Sequence, residues 1–304
     1  MPATRFSIII AFYNHRAFIK DAVDSALSLE YPEKEIIAVD DGSTDGSQEV
    51  LRQYGNTIRL LCHETNQGAC AARNCGAAVA SGEYLVFLDG DDAFLPWTLD
   101  VYERIIRAKK PKLILGEMRW FIGNLPAAPS GDSPHQIQLV EYEDYLRRDR
   151  SFGNSASALV IDRQSFENVH GWPTGLFPCE DHDIALKLGT SGRTVQILEP
   201  PTVFHRAHSS SASQKLSDCL RAVHSFVQRE RLGEYPGGKR RSRERQALIG
   251  GVVFFFLRRA AESGLYLDAI KLIIHNWPMV LAAIMRRLGV ILGGRQPRET
   301  IKLI

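Results

Sequence analysis

Over the first hundred residues the apolar positions fall into short unbroken blocks with helical stripes between them. Ser7–Ala11, Ile36–Val39, Ile58–Cys62 and Tyr84–Leu88 are rich in β-branched, leucine and aromatic residues, the pattern of strands buried on both faces. Phe18, Ala22, Val23, Ala26 and Leu27 recur on one helical face after the first block. A helix from about Gln67 is built of small residues, Ala69, Ala71, Ala72, Ala77 and Ala78, which suit a close approach to a sheet. This β-α-β-α order predicts an α/β fold with a mostly parallel sheet and helices on both faces.

Beyond residue 110 the pattern is sparser. Lys112–Leu115, Ser157–Ile161 and Thr202–Phe204 predict strands, Val140–Arg147 a short helix, and Gly123–Pro134 an irregular loop. A second helical run, through Ile184, Ala185, Leu186 and Leu188, follows the segment Gly171–Asp183. From Ser217 the chain reads as helical, with Leu220, Val223, His224 and Val227 on one face. Leu248–Ala261 and Met279–Leu288 are further apolar helical stretches, and 261–271 joins two helices through a turn. The expected division is 1–110, 111–215 and a C-terminal α-helical region, 216–304.

Charge changes this picture more than composition does. The 304 residues are 44% hydrophobic and 24% charged, an ordinary globular balance, and the formal net charge is only +2. Residues 221–304, however, hold 16 Lys/Arg against 6 Asp/Glu, a local +10 that leaves −8 for the rest. That segregation argues against wholesale nucleic-acid binding and for an anionic partner at the tail. The run Lys239–Arg245 beside amphipathic helices suits anionic lipid head groups, and a helical cap or homodimer surface is the alternative. No apolar stretch is long enough for a spanning helix, and no secretory leader is evident at the first strand. Five cysteines without paired spacing fit reduced thiols. The expected location is cytoplasmic, with peripheral contact at the inner face of the plasma membrane.

The candidate chemistry sits at strand ends. Asp89, Asp91 and Asp92 follow the block Tyr84–Leu88 directly, with Gly90 allowing a tight turn. Ligands of open α/β sheets bind at the carboxyl ends of strands, and clustered carboxylates there call for a hard cation, Mg²⁺ or Mn²⁺. An acidic turn capping the next helix is the plainer alternative. Asp40 and Asp41 end a second strand and Tyr13 and Asn14 a third; in a parallel sheet all three converge. An aromatic ring and a carboxylate suit a nucleotide base, and a metal suits its diphosphate. Arg73 is placed either to bind phosphate or to brace the acidic cluster.

Four ordered motifs, Ile8–Asn14, Val39–Asp45, Asn66–Asn74 and Phe87–Asp92, resemble those of family 2 glycosyltransferases with the GT-A (Rossmann-like) fold. The resemblance covers roughly residues 5–110. It implies an inverting, metal-dependent transfer from a nucleotide-sugar, a UDP-sugar by family habit, to a glycan or lipid-linked acceptor in surface polysaccharide or glycolipid synthesis. By the same resemblance Tyr13 and Asp41 contact the base, Asp89 the ribose or metal shell, and Asp91 the metal. Attack by a sugar hydroxyl needs a carboxylate to take its proton; Glu180-Asp181 matches the family's acidic pair, with Asp181 placed ahead of Glu180 and helix capping as the alternative. Trp172 is a platform for the acceptor sugar or else a core residue. Arg206 and His208 loosely match a phosphate-binding arginine and a metal-binding histidine. A non-catalytic nucleotide-sugar-binding module and a nucleotidyltransferase are the other readings; the first needs a missing carboxylate, the second a glycine-rich phosphate loop, and neither feature is present.

Overall fold

The computed structural model describes residues 3–127, 134–150, 155–208, 216–289 and 296–302. Its centre is a nine-stranded sheet. Strands β1 (Phe6–Phe12), β2 (Lys34–Asp40), β3 (Arg59–Cys62) and β4 (Tyr84–Asp89) lie in the order β3-β2-β1-β4, all parallel. Next to β4 comes β9 (Leu159–Asp162), which runs against both β4 and β6 (Leu113–Leu115). Beyond it β10 (Thr194–Glu199) pairs parallel to β6, and β8 (Gln136–Tyr142) and β12 (Glu299–Lys302) close the edge antiparallel. A small second sheet, β5 (Ala93–Phe94), β11 (Val203–Arg206) and β7 (Met118–Phe121), carries the segment that follows β4.

The two-faced burial of β1 shows why its sequence lacks polar alternation. Phe6, Ile8, Ile10 and Phe12 pack towards α1 (Ile19–Leu27) and α4 (Thr98–Lys109). Ile9 packs with Phe87 and α6 (Glu180–Leu188), and Ala11 with Ala72 of α3 (Ala69–Ala78). Each fully buried side chain of this size contributes about 1.5–3 kcal/mol. The small residues of α3 act as their pattern predicts: a Cβ added at Gly76 would stand 2.6 Å from Ile9 Cγ2.

One expectation fails in the middle region. Val140–Arg147 is not a helix; β8 ends at Tyr142, and a 3₁₀ turn at Tyr145–Arg147 follows, its first N–H groups accepted by Asp144. The buried residues Ile137, Leu139, Val140 and Tyr142 hold β8 between β10 and β12. In the loop Gly123–Pro134, residues 128–133 lie outside the described residues.

The tail folds onto the face that carries α6. Helices α7 (Leu216–Leu232), α8 (Ser242–Glu262) and α9 (Tyr266–Arg287) contribute Val223, Phe226, Ile249, Val253 and Met279 to one cluster with Ile184 and Leu188. On α7 the buried face is Ala222, Val223, Phe226 and Val227, while His224 is exposed. β12 then rejoins the main sheet through β8. The basic run 239–245 is partly internal: Arg241 donates to Asp144 at 2.6 Å, and buried Arg245 pairs with Glu230 at 2.7 Å. The expectation that no tail helix reaches bilayer length also fails. α9 has 22 residues and a mean hydropathy of 1.4, enough to cross a membrane by length and composition alone, although its backbone leaves the helical region at Asn276 (φ −129°, ψ 17°), two residues before Pro278.

Candidate active site

Parallel pairing brings the carboxyl ends of β1, β2 and β4 to one edge. The chain leaves β1 at Tyr13, whose ring is 42% exposed, and turns at Asn14 with φ of 54°. Asn14 Oδ1 accepts from the Thr44 N–H at 2.8 Å and its own N–H donates to Ser43 Oγ at 2.9 Å. The β1 and β2 exits are thereby tied together, with the tyrosine left open to a ligand.

Asp41 is occupied differently from the sequence expectation. Its carboxylate is buried and accepts from the N–H groups of Gln67 and Gly68 at 2.9 and 2.7 Å and meets His63 Nδ1 at 2.8 Å. It therefore fixes the approach to α3 instead of presenting oxygen to solvent. Asp40 similarly accepts from the Ser43 N–H at 2.9 Å.

Arg73 joins the two halves of the site. It is buried; Nη2 donates to Asp89 Oδ1 at 2.6 Å and Nη1 to Glu180 Oε1 at 3.2 Å, and the guanidinium lies 5.0 Å from the Trp172 ring centre. Of the two roles its sequence position allowed, bracing the acidic cluster is the one it fills. Burial pushes the Asp89 carboxyl up, but the charge and hydrogen bond of Arg73 outweigh it and hold Asp89 below the usual carboxylate range. Arg73→Met keeps the bulk but strands two carboxylates; removing one partner of a buried ion pair costs about 3–5 kcal/mol. Urea denaturation should show a loss of that size, and parental stability would mean the pair is solvated.

Three neighbouring carboxylates divide the work at the β4 exit. Asp92 is fully buried: Oδ2 accepts from Ser157 Oγ at 2.7 Å and meets His205 Nδ1 at 2.9 Å, and Oδ1 accepts from the Arg206 N–H at 3.0 Å. Burial, offset in part by His205, pushes it up to about 6. It ties the small sheet to the main one. Asp91 is partly open, and its Oδ2 stands 2.7 Å from His208 Nε2, with side-chain exposures of 16% and 15%.

Arg206 does not face the site. Its guanidinium lies between the rings of Phe18 and Phe121, at 4.7 and 4.6 Å, and donates to Asp21 at 2.7 Å and to the Asp91 carbonyl at 3.0 Å. The strand expected to end at Phe204 continues through Arg206, which turns this side chain inward. Trp172 is likewise in the core, 2% exposed with its ring edge-on to Phe87 at 5.0 Å. An acceptor platform must be open, and this ring is not. Trp120, which the sequence did not single out, is 60% exposed and packs edge-on to His205 at 4.3 Å.

Glu180 and Asp181 form the first turn of α6, where the helix dipole favours negative charge. Both are buried. Burial raises Glu180 to about 7, with the Asp181 charge adding to the rise and Arg73 opposing it; burial raises Asp181 to about 6. Glu180 is bound to Arg73, whereas Asp181 pairs with no cation among the described residues and accepts from the His182 N–H at 2.7 Å. Two residues on, Asp183 accepts from Tyr235 Oη at 2.7 Å and Arg229 at 3.2 Å, so the tail helices brace the start of α6.

Comparison with known proteins settles the family. The model for glycosyl transferase family 2 matches residues 7–167. The chain belongs to that family. It is 28% identical over 222 residues to the UDP-Glc:alpha-D-GlcNAc-diphosphoundecaprenol beta-1,3-glucosyltransferase WfaP of Escherichia coli, covering 71% of this chain and 82% of that one. It is 40% identical over 192 residues to the poly-beta-1,6-N-acetyl-D-glucosamine synthase of Staphylococcus epidermidis, covering 60% of this chain and 45% of the synthase. Among solved structures, S. aureus TarS in complex with UDP superposes over 94% of this chain and 83% of its own, with a TM-score of 0.62 at 17% identity. A mannosyltransferase from Pyrobaculum calidifontis, in complex with GDP-Man and Mn2+, gives 0.55 at 16% identity over 97% of this chain and 89% of that one. The GT-A architecture and the glycosyltransferase class are thereby shown for this enzyme.

The donor set at the β4 exit fits a divalent ion of the Mg²⁺/Mn²⁺ type. Among the described residues no three His, Cys, Asp or Glu side chains gather into a closed metal cage. A hard cation of this type needs only one or two side chains beside water and substrate phosphates. Among the described residues Asp91 and His208 would hold such an ion: their 2.7 Å separation is close to the ~3 Å between adjacent ligands of an octahedral ion bound at about 2.1 Å.

Proposed function

We propose that the enzyme is an inverting glycosyltransferase that moves a sugar from a nucleotide-sugar, a UDP-sugar first among candidates, to a glycan or lipid-linked acceptor in surface polysaccharide or glycolipid assembly. The observation that carries this is the chain Asp89–Arg73–Glu180, at 2.6 and 3.2 Å, which sets the unpaired carboxylate of Asp181 beside the acidic strand end. A base must face a leaving diphosphate across one pocket, and Arg73 is the strut that joins those two sides.

Residues 1–110 form the donor half in this scheme and 111–215 the acceptor half. Tyr13 stacks on the base. Asp91 and His208 hold Mn²⁺ or Mg²⁺, which offsets the charge of the diphosphate when bound. Asp89 orients the ribose end under the hold of Arg73, Asp181 takes the acceptor hydroxyl proton, and Trp120 offers its open ring to the acceptor. The E. coli relative named for a diphosphoundecaprenol acceptor supports a lipid-linked acceptor.

The test is a donor-hydrolysis screen across UDP-, GDP- and dTDP-sugars with Mn²⁺, Mg²⁺ or chelator. One UDP-sugar should be turned over, with activity lost on chelation and restored by Mn²⁺. Hydrolysis of no donor, with nucleotide still bound, would return the chain to a binding module. In the same assay with acceptor present, Trp120→Ala should raise the acceptor KM by roughly fivefold, since stacking on an exposed aromatic contributes of order 1 kcal/mol, and leave the donor KM unchanged.

A further inference from the structure

The tail leaves a large apolar face without a partner. Leu267, Ile270, Ile274, Trp277, Leu281 and Ile284 recur every three or four residues along α9, and each is between 45% and 74% exposed. On the opposite side Ala269, Asn276, Met279 and Ala283 are buried against α8. Exposed Phe254 of α8 lies beside Ile284 and Arg287 and extends the face, so the band is wider than a coiled-coil seam. Contiguous exposed apolar surface on this scale marks an interaction site.

Charge identifies the occupant. The cations exposed around this face are Arg258, Lys271 and Arg287, against Glu262 and Asp268. Those two acids already face Arg258 at 3.0 Å and Lys271 at 3.8 Å. A second copy of the chain would set the same positive rim against this one. An anionic lipid surface complements both the apolar band and the rim, and Trp277 and Tyr266 are side chains suited to the head-group boundary.

α9 is also held in place. A Cβ on Gly250 would lie 1.9 Å from the Met279 carbonyl oxygen, so α8 and α9 touch backbone to backbone. Arg286 donates to the carbonyls of Glu244 and Leu146, both at 3.3 Å, and Arg231 to that of His275 at 2.6 Å. A helix crossing the bilayer would shed these bonds; one lying in the head-group plane keeps them.

We infer that α9 docks the enzyme flat on an anionic membrane leaflet through its Leu267–Ile284 face, with the bilayer as partner. This differs from contact through the basic run 239–245, whose Arg241 and Arg245 point inward. Lipid docking is independent of donor chemistry, so its failure leaves the transferase assignment intact.

Flotation of the full-length protein with phosphatidylcholine vesicles, with and without phosphatidylglycerol, tests it. Binding should need the anionic lipid, weaken towards ~0.5 M salt as screening sets in, and release at alkaline pH in carbonate. Ile274→Glu/Leu281→Glu, at exposed positions, should lower binding by at least tenfold with an unchanged thermal midpoint, and Arg258→Gln/Arg287→Gln should remove the preference for phosphatidylglycerol. Absence of flotation at every salt concentration overturns the inference, as does a double glutamate variant that floats like the parent. A dimer that the glutamate pair dissolves, with no lipid binding, would assign the face to a second copy. Resistance to carbonate would make α9 a spanning helix.

Discussion

Asp181→Asn should lower turnover by at least roughly 10²-fold, the scale of a lost general base, while donor affinity measured by calorimetry stays within about twofold. Asparagine keeps the shape and the hydrogen bond from the His182 N–H but cannot accept the acceptor's proton. Glu180→Gln should behave otherwise. Glu180 is spent on Arg73 at 3.2 Å, so the glutamine variant should lose stability and donor affinity together, with a smaller effect on the chemical step. If Glu180→Gln proves the more damaging to turnover with donor binding intact, Glu180 is the base. If neither matters, the acidic pair only caps α6.

The burial of Asp181 adds a pH signature. With its carboxyl pushed up to about 6, Asp181 is ionised at neutral pH and protonated below, so the proposed role as base requires kcat/KM to fall as pH drops through about 6. Stability runs the other way. The folded state binds this proton more tightly than the unfolded chain, whose ordinary value is 3.8. The contribution of Asp181 to stability is therefore complete below pH 3.8 and lost as pH rises through about 6. Asparagine mimics the protonated form, so Asp181→Asn should be more stable than the parent above that range, by up to about 3 kcal/mol at 1.36 kcal/mol per pKa unit. Well below pH 3.8 the two should be equal. A gain in stability joined to a loss of turnover is the mark of a carboxylate kept charged for function, and a merely structural cap would show the reverse.

Much of the first hundred residues was legible because strands and candidate chemistry adjoin in the chain. The run Tyr84–Leu88 is buried on both faces, and the carboxylates follow it within four residues, so parallel pairing alone carries them to the ligand edge. What misled was side-chain direction. Asp41 sits where a base-binding carboxylate was expected, yet its partners, the N–H groups of Gln67 and Gly68, come from a loop some 25 residues on. Arg206 was placed in a loop, but β11 runs two residues further than its apolar run suggested, and strand alternation turns the guanidinium between Phe18 and Phe121. The role of Ser157 could be found only from topology. β9 runs antiparallel beside β4, so the turn leading into it lies at the exit of β4, within reach of Asp92 and of the Asp89 N–H. The tail's amphipathic pattern was visible too, though only packing separates a helix face closed by α8 from one left open.

Asp91→Ala should remove metal-dependent donor binding along with transfer. Asp91 is the one carboxylate of the β4 exit not committed to the scaffold: Asp89 is held by Arg73, and Asp92 by Ser157, His205 and the Arg206 N–H. A divalent ion contributes several kcal/mol to neutralising a diphosphate, and each 1.4 kcal/mol is tenfold in affinity. Loss of that carboxylate should thus weaken UDP binding in Mn²⁺ by on the order of 10²-fold or more. In chelator, parent and variant should bind UDP equally weakly, because stacking on Tyr13 is untouched. His208→Ala should fall between them, as a neutral ligand supplies less to a hard cation than a carboxylate does. The variant's fold is expected to survive, since Asp91 is partly open and its side chain meets only His208, at 2.7 Å, among the side chains described. Calorimetric titration with UDP, with and without Mn²⁺, distinguishes these outcomes. An Asp91→Ala enzyme that binds UDP in Mn²⁺ as the parent does would place the metal elsewhere.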